Sequence, residues 1–151
     1  MTGEQRLRAA RALWNDPDAR AEQIQAAGLI AQQLKFRPKT VAGLDKDRQA
    51  RYLTNVANVP DELAAKLLVV YHLAEQRPMM STFLDAIGIA HEAGLINNDA
   101  GSPDPARVAG AATAIARRYP AEDVALYLNT LLWQDQETWG VLAGLPESGL
   151  A

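Results

Sequence analysis

Acid–base and metal chemistry in this chain is confined to very few positions, because its 151 residues hold two histidines and no cysteine. His72 has Glu75 one helical turn on, which is half of a metal site. A metal-binding helix needs a further ligand at matching spacing, and none is present. The expectation is therefore a histidine packed at the edge of the core with its polar end hydrogen-bonded. His91 and Glu92 are adjacent, and adjacent residues of a helix do not face each other. A general acid and base must face one cleft, so the structural reading is an imidazole near a helix C-terminus, where the negative end of the dipole favours it.

The other nucleophile and ligand patterns are missing. Without cysteine there is no disulfide, thiolate nucleophile, zinc–thiolate or iron–sulfur site. Ser81, Ser102 and Ser148 do not lie in the G-x-S-x-G pattern that exposes a nucleophile, and no phosphate loop or dinucleotide fingerprint occurs. Asp99 and Asp104 flank a glycine but lack the alternating spacing and closing glutamate of a calcium loop. No catalytic residue, metal ligand or cofactor is assigned from the sequence.

Charge is the better lead. Lys35, Arg37 and Lys39 alternate with Phe36 and Pro38, and Lys46, Arg48 and Arg51 follow. Residues 1–51 carry ten Lys/Arg against six Asp/Glu, and residues 52–151 carry five against twelve. Such a basic segment could contact phosphates. Against that, Asp45 and Asp47 interrupt it, the isoelectric point is 5.3, and no aromatic-rich stacking surface accompanies it. A helix-turn-helix over 45–76 would have a second helix too apolar for a DNA groove. A solvated face, or one paired with the chain's own acidic remainder, is the favoured reading.

Trp133 and Trp139 are the last signal, separated by Gln134, Asp135, Gln136, Glu137 and Thr138. Tryptophan is enriched in binding hot spots, and it also plugs the ends of helical bundles. Met79 and Met80 carry the same ambiguity, since methionine suits adaptable surfaces and irregular cores alike.

The elements that must position these residues all read as helices. A hydrophobic content of 48% with 22% charged residues is ordinary globular composition. Thr2 and Gln5 stand in capping-box spacing, with Leu7, Ala10, Leu13 and Trp14 behind them as an apolar stripe. Asp16-Pro17 is a second start signal, leading a helix to about Lys35 with Ile24, Ala27, Gly28, Ala31 and Leu34 inward. Asp45 caps a helix through Ala57. Residues 60–96 form the organising stretch: an apolar helix over 61–76 buried from several sides, a break at Pro78, and a second apolar helix ending at Gly94. Asn97 to Pro105 is the clearest linker. Further helices are expected over 106–118, 121–133 and 138–143, with a tail from Gly144 that frays.

The fold class is thus all-α: one compact domain of six to seven helices, with an N-terminal hairpin (1–35), a central unit (39–96), a linker (97–105) and a C-terminal unit (106–145). A faint internal echo, Pro60 opposite Pro120 and Leu68 opposite Leu128, suggests two similar helical units. No apolar run is long enough to cross a membrane, and no basic tip precedes an apolar N-terminal core, so a cytoplasmic protein is expected.

The leading functional expectation is a non-enzymatic module that binds a protein partner or itself, through an apolar groove or the Trp133–Trp139 region. The second is a nucleic-acid-associated regulator using residues 35–51. The third is an enzyme or small-molecule binder with a site near His72 or His91.

Overall fold

The all-α expectation holds in the computed structural model, which describes residues 1–150: helices make up most of the chain, and among the described residues the only strands are a pair of two residues each. Seven helices have nine or more residues and two are shorter. Contacts divide the chain into two units, Met1–Ala74 and a second beginning at Glu75.

In the first unit, α1 (Gly3–Asn15) starts on the expected capping box. The Gln5 amide donates to Thr2 Oγ1 at 3.1 Å, and the Thr2 amide donates to Gln5 Oε1 at 2.9 Å, so two otherwise orphaned N–H groups are satisfied. Asp16 does not cap a second helix as the Asp-Pro signal predicted. Its carboxylate accepts the Asp18 amide within a turn, and α2 begins at Arg20 and ends at Leu34. Gln23 secures that turn by donating to the carbonyls of Leu13 and Asp16, both at 2.9 Å.

α2 buries Ala26, Ala27, Ile30 and Ala31, while Ile24 and Leu34 are exposed. The inward placement of Ile24 and Leu34 is therefore corrected, while that of Ala27 and Ala31 holds. Apolar residues run right round this helix, so periodicity alone could not choose its covered face. α3 (Pro38–Ala42) is a single short turn, and α4 (Lys46–Thr54) is capped by Asp45, whose carboxylate accepts the Arg48 amide at 2.9 Å. α4 stops at Thr54, three residues short of the expected Ala57. Buried Gln49 reaches back from α4 to the Val41 carbonyl at 2.9 Å, and Gln33 of α2 donates to Asn55 and accepts from the Ala57 amide. α1 packs on α4, and α2 on α3 and α4.

α5 (Asp61–Glu75) is enclosed as its all-round apolar pattern requires. Leu63, Leu67, Val70, Tyr71 and His72 are buried, and no residue from 63 to 73 is fully exposed. The Arg8 guanidinium lies 5.6 Å from the centre of the Tyr71 ring, a cation–π contact tying α1 to α5.

The second unit opens with α6 (Arg77–Ile87), whose inner face is Met79, Met80, Phe83, Leu84 and Ile87. It does not continue to Gly94 as expected. Gly88 turns left-handed (φ 71°), its amide and that of Ile89 returning to Leu84, a C-terminal motif that glycine adopts without strain. Strands β1 (His91–Glu92) and β2 (Leu95–Ile96) come next as an antiparallel hairpin. Its two-residue loop, Ala93-Gly94, has positive φ at both positions (48° and 93°), the mark of a type I′ turn. Arg77 donates to the Ala93 carbonyl at 2.9 Å, holding the hairpin on α6.

α7 (Pro105–Ala116), capped by Asp104, packs against α6. α8 (Ala121–Gln134) and α9 (Gln136–Trp139) complete the unit with 3₁₀ turns at 140–144 and 146–148. The helix expected over 138–143 is thus split. Asp135 caps α9 where α8 ends: its carboxylate accepts the Thr138 hydroxyl at 2.5 Å and the Thr138 amide at 3.1 Å, which holds its carboxyl below the usual range. A depressed carboxyl stabilises the fold above its unfolded pKa, and that contribution is lost as pH falls through the folded one.

The core of this unit is aromatic, with Phe83 edge-on to Tyr127 (5.6 Å between centroids) and tilted against Trp139 (6.1 Å). Burial pushes the Tyr127 phenol far above its ordinary pKa. The tail from Gly144 is held rather than frayed over its described residues. Asn129 donates to the Ser148 carbonyl at 2.7 Å, and Thr113 bonds Glu147 at 3.0 Å.

The proposed internal echo survives in one feature. α5 and α8 each begin directly after a proline and carry two acidic residues in the first turn, Asp61 and Glu62 or Glu122 and Asp123. Their successors differ, since the 11-residue α6 comes after α5 and the four-residue α9 after α8.

Alanine at the first position of a type I′ turn is held in a conformation costing L-residues ~1–2 kcal/mol, which asparagine relieves in part. Ala93→Asn should raise stability by ~0.5 kcal/mol in urea unfolding. Gly94→Ala should lower it by more than ~1 kcal/mol, because its Cβ would stand 2.8 Å from Met80 Cβ. An unchanged midpoint for both would mean that this turn does not hold the hairpin.

Candidate functional site

The residues with the most reactive chemistry are used locally. His72 is 3% exposed, and its Nδ1–H donates to the Leu68 carbonyl one turn back at 2.8 Å. His91 lies on β1, not at a helix end, since α6 has already closed at Ile87. Its side chain is 11% exposed, with Nε2 2.6 Å from Asp85 Oδ1. The Gly94 amide donates to its Nδ1 at 3.0 Å. An amide can only donate, so Nδ1 carries a lone pair and the ring proton sits on Nε2, directed at Asp85. Both ring nitrogens are thereby engaged in holding the hairpin turn. Among the described residues, no group of three or more His, Asp or Glu converges to hold a metal ion, and no helix is long and apolar enough to cross a membrane.

The two tryptophans separate. Trp139 is 4% exposed in the aromatic core, whereas Trp133 is 60% exposed near the end of α8. They do not form one surface.

The basic segment is divided by its own carboxylates. Asp47 Oδ1 accepts from Arg11 of α1 at 2.9 Å, and its Oδ2 lies 2.8 Å from Arg51 one turn on. Arg48 stands 3.9 Å from Asp45. Lys35, Arg37, Lys39 and Lys46 are exposed and form no ion pair with a described residue. Lys35 closes α2 in a left-handed conformation, and Arg37 precedes α3 as its N-cap.

Lys39 and Lys46 stand at the edge of the feature that sequence reasoning missed. A groove of about 540 Å³ runs between the end of α1, α2, α3 and the start of α4. Its apolar walls are Trp14, Ile24, Ala27, Pro38 and Leu44, and its cations are Arg20, Lys39 and Lys46. No carboxylate lines it. Gln23 and Gln49, which also face it, already spend their amide N–H groups on the Leu13 and Val41 carbonyls. Ile24 is 64% exposed, an uncovered β-branched side chain standing over an apolar surface.

A smaller crevice of about 280 Å³ lies between α1, the 55–60 loop and α5, with Ala9, Ala10, Leu53 and Leu67 buried at its floor. Arg6 contributes its only charged side chain. In the larger groove, a volume within the range of about 300–1,000 Å³ typical of ligand sites combines with a ring of one charge sign. That groove is the candidate site.

Part of this was readable. Arg48 and Arg51 each have an aspartate three or four residues before them, the spacing at which helical side chains meet. Lys39 and Lys46 have no acidic residue at those spacings on either side. The apolar floor was not readable, because it depends on which face of α2 is covered. No family model matches the chain, and neither a curated protein nor a solved structure shows significant similarity to it.

Asp47 and its arginine partners are about half exposed or more, and exposed ion pairs contribute little. Asp47→Asn should lower unfolding free energy by no more than ~1 kcal/mol. His91→Ala removes two hydrogen bonds from a largely buried ring and should cost about 1–3 kcal/mol, with faster amide exchange at Gly94. Normal Gly94 protection in that variant would contradict the assigned role of the imidazole.

Proposed function

We propose that this protein is a protein-interaction module that docks an amphipathic helix of a partner protein in the groove between α2, α3 and α4. The observation that carries this reading is Ile24, exposed over a floor of Trp14, Ala27 and Leu44. Exposed apolar surface gathered into a concavity marks a site of contact more often than scattered exposure does. The groove offers apolar side chains a place to lose water, and its two glutamines are already hydrogen-bonded to backbone carbonyls.

The energetics suit a reversible contact. Burying three leucine-sized side chains contributes about 4–9 kcal/mol, against an association cost of comparable size. The balance leaves only weak affinity for a bare peptide, and a whole partner tightens it by adding a rim.

The test uses a synthetic helix of about 18 residues, ~27 Å long, with leucines at i, i+3, i+4 and i+7. Trp14 in the groove wall reports binding by fluorescence, read in a Trp133→Phe background to remove the exposed indole. Saturable binding is expected, weakened at least about tenfold by Ile24→Asp with the circular dichroism of the chain unchanged. No saturable signal, or equal binding by Ile24→Asp, would sink the reading. Sedimentation of the free chain supplies the other arm. A dimer that Ile24→Asp dissolves would put a second copy in the groove in place of a partner.

A further inference from the structure

We infer that the helix this groove accepts is acidic on its polar face, with glutamates or aspartates flanking the apolar residues it inserts. The inference rests on the docking reading above and adds to it the charge of the occupant. Its basis is how the first unit disposes of its cations. Arg11, Arg48 and Arg51 are each held by Asp45 or Asp47, within 3.9 Å or less. Arg20, Lys39 and Lys46 come from three different helices, line one concavity, and form no ion pair with a described residue. Lys35 and Arg37 are unpaired as well but lie outside the groove, so what singles the groove out is that its lining gathers such cations with no carboxylate among them.

Three unneutralised cations around an apolar floor, with no carboxylate in the lining, make a one-sign field over an apolar surface. Such a field repels basic and accelerates acidic partners. The long stems of lysine and arginine extend the apolar wall while keeping their charges at its edge, so one occupant can satisfy both. An amphipathic helix does this if its leucine-type residues point inward and its carboxylates lie along both borders. A phosphate backbone matches the charge but would lie across Ile24 and Leu44 without burying them, so the apolar half of the site favours polypeptide over nucleic acid.

Three peptides with identical leucines and with glutamate, glutamine or lysine on the polar face separate the possibilities. The expected order at about 50 mM salt is glutamate tightest and lysine weakest, by roughly tenfold or more between the extremes. That gap should shrink at about 0.5 M salt, where the screening length falls to a few ångströms. Combined Lys39→Glu and Lys46→Glu should reverse the order, an outcome that a purely structural role for these lysines would not give. Equal binding of all three peptides, or an unreversed order, overturns the acidic occupant while leaving the docking reading intact. Binding of none, with Ile24→Asp silent, removes both. Displacement of the glutamate peptide by a stoichiometric amount of duplex DNA would overturn the inference in favour of nucleic acid.

Discussion

Close approach of helices across alanine faces is the constraint on which the first unit depends. α1 presents Ala9 and Ala10, α2 presents Ala26, Ala27 and Ala31, and α4 presents Ala50, all buried. Helix axes approach as closely as the side chains between them allow, so such faces bring backbones near and leave little depth between them. Leu13, Ile30 and Leu53 are buried on the same three helices, whereas Ile24 of α2 is left uncovered. The groove is a consequence of the same packing that stabilises the unit, which is why it needs no dedicated loop or lid to exist. Glutamine side chains fix its borders, each tying a helix to a neighbouring carbonyl where no apolar contact could.

The second unit solves the packing problem differently. Its centre is Phe83, Tyr127 and Trp139, three large rings whose tilts fill space that alanines could not. The polar pair with the most enzyme-like appearance, His91 and Asp85, belongs to this scaffolding. A histidine oriented by a carboxylate resembles half of a catalytic arrangement, but a base needs its second nitrogen open toward a substrate. Here that nitrogen accepts the Gly94 amide. The imidazole replaces a missing strand contact in a hairpin too short to hold itself by its ladder alone.

Sequence patterns reached helix identity and caps, because these are decided within a few residues. Thr2 with Gln5, and Asp45, each cap the helix expected of them. The α5 enclosure was also legible, since a helix apolar on every side has no other stable placement. Failures gathered where two local signals competed. Gly88 and Gly94 lie six residues apart in one apolar run, and the sequence favoured the later as the helix stop. The chain closes at the earlier one, because Ile89 and Leu84 are both buried across that turn. Asp16 preferred an Asx-type turn to a helix cap. The covered face of α2 was undetermined for a tertiary reason, being chosen by partners and not by the helix itself.

The candidate site lies in that undetermined category, yet one part of it has a local cause. Whether a surface cation is already neutralised depends on what stands three or four residues away, and this is visible without coordinates. By that criterion the segment 35–51 is two populations: arginines on α4 with aspartates one turn before them, and Lys35, Arg37, Lys39 and Lys46 with none. Net charge hides the division, since the chain as a whole is negative. The fold then gathers two of those lysines with Arg20 beside an apolar surface. Under the docking proposal, the unanswered charge and the uncovered apolar area are two halves of one surface, and a single amphipathic occupant would meet both.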